Sequence, residues 1–336
     1  MNNAPQSVET APRNVPDPNR YNKIEKQNEE SFFFNEPLMM TVVTSISGRE
    51  TRLHPHPKTR DGGSISYAGN MSEMWGNKDL SDDERVADAR QNVDNFVRQP
   101  GIDKDPANVR ILLPQRSYGI PLQVIDIDSL PVDPENKAAK SIEDRGDMLV
   151  TRNPEIILGV RPADCPVMFM TGFDEEGKAV YGLAHIAYDG ARAGFVAQAV
   201  EQFLAQGVPL ESMRINITAG GQAENFLYVG DNDPLEGTTG LEDLYVNLRN
   251  VVEDGKNKIA FGIDTPNFVY KELLRAGLSP YQLNLDTSDT ASLVSQYSSH
   301  GRAERSRRAW VANGSNPAED YELGKRDLIL GIPATA

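Results

Sequence analysis

Short apolar runs rich in β-branched residues, each closed by Gly, Pro, Asn or Asp, dominate the middle of the chain. They begin with "NVRILLP" (108–114) and "LQVIDID" (122–128), and continue through "EIILGV" (155–160), "VMFM" (167–170) and "AVYGLAHIA" (179–187) to "MRINITAGG" (213–221). Runs of this length and content predict strands buried in sheets. Three longer stretches carry apolar residues at helical spacing instead. "SDDERVADARQNVDNFVRQPG" (81–101) repeats Val86, Ala89, Val93 and Val97, has the Ser81/Glu84 capping-box spacing, and ends at Pro100-Gly101. "GARAGFVAQAVEQFLAQG" (190–207) reads as one amphipathic helix closed by Gly207, and "TPNFVYKELLRAGLSP" (265–280) as another closed by Gly277. Strands and helices alternate irregularly, without repeats. The expected fold is therefore α+β, a single large mixed α/β domain with mixed β-sheets flanked by helices.

No linker divides the chain after residue 36. Residues 1–36, rich in Pro, Asn, Gln and Glu, read as a flexible N-terminal arm, and 37–336 as the domain. "FFFNEPLMMTVVTSIS" (32–47) reads as a strand entering the core, 133–147 as an acidic, polar loop, and 231–258 as an acidic, Gly-containing region without an assigned element.

Charge and cysteine content narrow the function classes. A net charge of −15 argues against nucleic acid as partner, because phosphate binding needs a basic surface. The one local basic cluster, Arg302, Arg305, Arg307 and Arg308, reads as a solvated face or as a small anion site. No apolar run approaches the roughly 18 residues of a membrane span, so no membrane partner is expected. The N-terminus has neither a basic n-region nor an apolar h-region. With one cysteine, Cys165, an intramolecular disulfide framework is impossible, and a cytoplasmic location is expected.

Cys165 and His185, one of four histidines, lie near the ends of consecutive predicted strands. Each alone reads as a core residue. A crossover or hairpin that juxtaposes them makes a nucleophile and base, and His185 leads into a Gly-containing turn opening a helix.

The surrounding motifs resemble those of the laccase-domain family, also called multicopper polyphenol oxidoreductase, which includes peptidoglycan-editing factor and purine nucleoside phosphorylases. "RPADCPVMFM" followed by "YGLAHIAYDG" is similar to its A-D-C-x-P and H-A-G-W-R-G motifs. "TRDGGSIS", "GNMSEMWGN", "ADARQNVDNF", "DMLVTRNPEIILGV" and "AGGQAENFLYVG" follow in the family's order, as do C-terminal segments through "RSRRAWVA". The resemblance spans roughly residues 38–313. It implies a fold shared in outline with cysteine-hydrolase deamidase toxins, and hydrolytic or phosphorolytic chemistry on a purine-nucleoside-like small molecule. Some members are described as deaminating adenosine.

The resemblance also implies zinc held by one Cys and two His, here Cys165 and His185; no nucleotide cofactor is implied. The first His of the family falls in "PQRSYG" (114–119), where Ser117 or Tyr118 stands at the ligand position. Asp189, Asp164, His54 or His56 are the alternatives for a third ligand. Asp189 also replaces the Arg of H-A-G-W-R-G, and Asp289-Thr290 stands at a Cys-Thr step. Arg60, Asn70, Asn92, Tyr118 and Asp189 are the candidate substrate contacts by motif position. The competing expectation is a member that keeps the fold but has lost catalysis and acts as a binding or scaffold protein. The sequence leaves the oligomeric state open.

Overall fold

The computed structural model describes residues 31–34, 40–45, 82–98, 104–114, 121–131, 140–223, 227–230, 240–253, 255–286 and 328–333, with Leu235 and Thr290. Three sheets organise them. The first runs in the order β1 (Ser31–Phe34), β2 (Met40–Ser45), β15 (Ile329–Pro333), β7 (Ile157–Val160), β3 (Val109–Pro114) and β5 (Lys140–Gly146). In it β3 lies parallel to both neighbours, whereas β15 is antiparallel to β2 and to β7.

The second sheet runs β14 (Leu283–Leu285), β10 (Arg214–Ile217), β8 (Val167–Phe173), β9 (Ala179–His185), β6 (Met148–Thr151) and β4 (Val124–Asp126). Its inner strands pair antiparallel, and each edge strand is parallel to its neighbour. The third is antiparallel, with β13 (Lys256–Ile263) between β11 (Leu227–Gly230) and β12 (Tyr245–Glu253).

Strand alternation sorts the side chains into layers. Val167, Phe169, Tyr181 and Leu183 of the second sheet cluster with Met40, Val42, Leu112, Leu158 and Val160 of the first. These two sheets therefore pack face to face. Met168, Met170, Val180 and Ala184 point the other way. They meet Phe195, Val196, Ala199, Val200 and Phe203 of α3 (Phe195–Ala205) and Phe268, Val269 and Leu273 of α4 (Thr265–Arg275). On the far side of the first sheet, Val93, Phe96 and Val97 of α1 (Asp82–Val97) pack on Val109, Ile111, Ile157, Leu328, Leu330 and Ile332. The result is a helix–sheet–sheet–helix stack, a mixed α/β architecture as the alternating pattern predicts.

The structure revises several boundaries. The helix read over 190–207 is two: α2 (Tyr188–Arg192) stops at Ala193, and Gly194, at φ +76°, turns the chain into α3. "LQVIDID" is a strand only to Asp126, whose side chain accepts from the Asp128 N–H and starts a 3-10 turn at Ile127. Strand β5 occupies much of the stretch read as a polar loop, and β12 with the start of β13 occupies the later part of the unassigned 231–258 region. Strand β1 begins at Ser31, so the first sheet takes up residues read as the end of the arm. The Ser81 cap lies outside the described residues. Among the described residues, no helix is long and apolar enough to cross a membrane.

Candidate functional site

The register of the second sheet brings Cys165 and His185 to one end of neighbouring strands. Val167, the first residue of β8, pairs with His185, the last residue of β9. Cys165 precedes Val167 by a single proline, and the Ile186 N–H donates to the Pro166 carbonyl at 3.0 Å. The same row continues to either side. His185 N–H donates to the Asp147 carbonyl at 2.9 Å. On the other flank, the Val167 N–H donates to Thr218 Oγ1 and the Thr218 N–H to the Val167 carbonyl, both at 3.0 Å. Beyond Thr218, the Asp286 N–H donates to the Ile217 carbonyl at 2.9 Å. One end of the sheet thus carries Asp286, Thr218, His185 and Asp147, all buried, with Cys165, half-buried and outside any disulfide, in the segment that leads into β8.

The residue before the cysteine has an unusual backbone. Asp164 adopts φ +68°, where a residue with a side chain is strained by about 1–3 kcal/mol. It is held there from several directions. Its carbonyl accepts the Gly221 N–H at 2.8 Å, and its Oδ1 accepts the Thr290 hydroxyl at 2.7 Å. The Thr290 N–H in turn donates to the Gly220 carbonyl at 3.1 Å. Gly220 has no room for a side chain: a Cβ there would lie 2.7 Å from Pro266 Cγ and 2.9 Å from the Asp164 carbonyl oxygen. Segments from four parts of the chain therefore converge on the Asp164–Cys165 step.

Past His185 the chain enters α2. The Tyr188 and Tyr245 hydroxyls share a hydrogen bond of 2.7 Å, tying α2 to β12, and the Tyr245 ring stands edge-on to Phe261. The Arg192 guanidinium lies 5.6 Å from the centroid of the Tyr188 ring, close enough for a cation–π contact. Burial sets the electrostatics here, since loss of water penalises charged forms. It pushes the Asp147 carboxyl up, partly offset by the Gln123 N–H bonded to Oδ2. It pushes Asp189 up as well, offset by Arg192. Burial, then the bond to Tyr188, drives the Tyr245 hydroxyl far above its ordinary value.

Of the residues read from sequence, Cys165 and His185 are brought together, and Asp189 follows on α2. Asn92 is fully buried in the layer between α1 and the first sheet, a different layer from His185. Arg60, Asn70, Ser117, Tyr118, His54, His56 and the arginines from Arg302 to Arg308 lie outside the described residues. Sequence reading missed Asp147, Thr218 and Asp286, which only strand register gathers.

A catalytic zinc takes three protein ligands and a water. Among the described residues no group of three His, Cys, Asp or Glu could hold a metal. Cys165 and His185 make two donors, and Asp164 Oδ1 already accepts from Thr290. The described residues by themselves therefore do not form a zinc site.

Comparison with known proteins gives these residues a context. A family model described as multi-copper polyphenol oxidoreductase laccase matches residues 60–311. A curated relative, adenosine deaminase RL5 from an unknown prokaryotic organism, is 26% identical over 195 residues, 56% of this chain and 65% of that protein. The match thus spans less than two thirds of the relative's length. Among solved structures, the hypothetical protein YfiH of Bacillus licheniformis has a TM-score of 0.56 at 13% identity, covering 93% of this chain and 99% of that one. YlmD from Geobacillus stearothermophilus has a TM-score of 0.54 at 14% identity, covering 92% and 97%. At these identities the structural likeness speaks to fold.

Proposed function

This chain belongs to the multi-copper polyphenol oxidoreductase laccase family, and from that premise we propose that it breaks a carbon–nitrogen bond in a purine-nucleoside-like small molecule. The observation that carries the reading is the Val167–His185 pairing, which brings the half-buried Cys165, two residues before Val167, to the same sheet end as His185. The relative named for adenosine deamination supports the substrate class.

In this reading His185 takes a proton from the attacking group and returns it to the leaving nitrogen. With Cys165 as nucleophile, sulfur adds to the carbon, the amine or base leaves with that proton, and water then displaces sulfur. Asp189, standing where the resembling motif has Arg, disfavours an anionic second reactant. The net charge of −15 acts in the same direction. Hydrolysis is therefore preferred over phosphorolysis. A single cysteine fits a reducing compartment, and the cytoplasm is the proposed place of action.

The test is chromatography of adenosine, inosine and guanosine incubated with the full chain, with and without phosphate. Phosphate-independent release of base, or of ammonia, is expected. Cys165→Ala and His185→Ala should each lower the rate about 100-fold or more. Absence of turnover for all three nucleosides, or undiminished rates in both variants, overturns the proposal. Protein purified without a metal-affinity tag supplies the control. Stoichiometric zinc would place Cys165 and His185 in a ligand set and remove the thiol-nucleophile form. A second reading, a binding protein without catalysis, is favoured by one observation, the acid at Asp189. It predicts nucleoside binding in calorimetry without turnover.

A further inference from the structure

We infer that Thr290 is a positioning residue: through Asp164 it holds the backbone left-handed and thereby fixes the place of the Cys165 thiol. The inference rests on the reading that Cys165 works at the reacting end of the site.

Asp164 is the only non-glycine residue at positive φ among the described residues. Such a backbone persists only where its surroundings over-determine it, and such residues concentrate at functional sites. Here the restraints are on the page. The Thr290 hydroxyl grips the Asp164 side chain at 2.7 Å, and the Gly221 N–H grips its carbonyl at 2.8 Å. The Thr290 N–H secures its own segment to the Gly220 carbonyl, so the clamp is anchored to the loop it braces. Both Asp164 and Thr290 are buried, which shields the bond from competing water.

The direction in which Cys165 leaves Asp164 is set by that φ. If Asp164 relaxed to an ordinary backbone angle, the chain would leave it differently, although Pro166 and Val167 are fastened to Ile186 and Thr218. The thiol is the atom that would move. Thr290 acts through Asp164, whose Oδ1 its hydroxyl holds.

The chain holds a single cysteine, so alkylation by iodoacetamide, followed by mass spectrometry of the full chain, reads one site. Thr290→Val keeps the shape and removes the hydroxyl, while Thr290→Ser keeps the hydroxyl. Thr290→Val should raise the labelling rate about fivefold or more, the scale of one lost hydrogen bond. Thr290→Ser should label like the wild type.

Glycine supplies the sharper arm, because it adopts positive φ without a restraint. Adding Asp164→Gly to Thr290→Val should return labelling toward the wild-type rate. Equal labelling of Thr290→Val and wild type, failure of Ser to preserve the rate, or failure of Gly to rescue it overturns the inference. If Thr290→Val does not fold, Asp164→Ala against Asp164→Gly decides: fast labelling in Ala alone supports the clamp, and equal rates overturn it.

Turnover gives an independent readout. Where nucleosides are consumed, Thr290→Val should lower kcat about 10- to 100-fold, the scale of a misplaced reacting group, with KM little changed. Thr290→Ser should restore kcat. A wild type that consumes no nucleoside defeats the functional reading, while the labelling pattern still decides the clamp.

Discussion

The two large sheets share one apolar layer but treat their other buried surfaces differently. The first sheet is apolar on its outer side as well, Asn92 apart, where Phe96, Val93 and Val97 of α1 cover Val109, Ile111 and Ile157. The second sheet is apolar toward α3 and α4 and toward the first sheet, yet one end of it buries Asp147, His185, Thr218 and Asp286 together. Burying polar groups is unfavourable unless they find partners. The described bonds are mostly to backbone at strand ends, where the ladder has finished and N–H and C=O groups are available. The contrast sets the apolar packing of the first sheet and its helix against the polar end of the second, where the proposed chemistry is placed.

The largest effect should come from the apolar side. Phe96→Ala removes a fully buried ring between α1 and the first sheet and should cost about 3–5 kcal/mol in urea unfolding. The folded fraction should alkylate Cys165 at the wild-type rate; a changed rate would show that the two sheets are coupled and break the contrast.

Thr218→Val is nearly isosteric but strands the buried Val167 N–H. It should cost about 1–3 kcal/mol, and unlike Phe96→Ala should alter Cys165 alkylation in the folded protein. A neutral result in both assays would mean that the polar row is not held together by this bond.

The smallest effect belongs to the surface. Asp243 meets Lys271 and Arg275 of α4, and all three side chains are partly exposed. Asp243→Asn should cost less than about 1 kcal/mol, and raised salt should shrink the difference. The signs with pH separate this carboxyl from the one beside His185. The Lys271 hydrogen bond, then that of Arg275, holds Asp243 below its ordinary value of 3.8, against the pull of burial. Its contribution is present above that value and fades as pH falls through the lowered one. Burial raises Asp147 above 3.8, so its contribution runs the opposite way: stability is lost as pH rises from 3.8 through the raised value. Urea unfolding of Asp243→Asn and Asp147→Asn against wild type across acidic pH checks both signs.

Local chemistry made much of this legible in the sequence. Helices α1 and α4 and strands β3 and β7 to β10 follow from apolar spacing and punctuation, because packing there agrees with local preference. Strand β5 was invisible because "KSIEDRG" sits at the edge of the first sheet and gains its conformation from pairing with β3. The hairpin of β12 and β13 did leave a signal. Glu253 pairs with Lys256 across a two-residue turn, Gly255 sits at φ +72°, and "EDGK" carries the Asp-Gly preference of such turns.

At the site, Cys165 and His185 were found through their motifs. Their neighbours were not, because no local spacing in sequence announces that Asp147, Thr218 and Asp286 share a row. Thr290 was matched to a motif step without a role, since its partner Asp164 lies far away in the chain. The left-handed backbone at Asp164 is compatible with sequence, Asp being among the residues that tolerate it, but is not dictated by it.

Strand β15 sets a timetable for the molecule. Ile329–Pro333 lies inside the first sheet, between β2 from the early part of the chain and β7 from its middle. A ribosome therefore releases β2 and β7 long before the strand that belongs between them exists. Until then their facing backbone edges remain open, and closing the gap joins residues separated by most of the polypeptide, a slow event by loop-closure entropy. During synthesis, the sheet packed against α1 is the one that must wait.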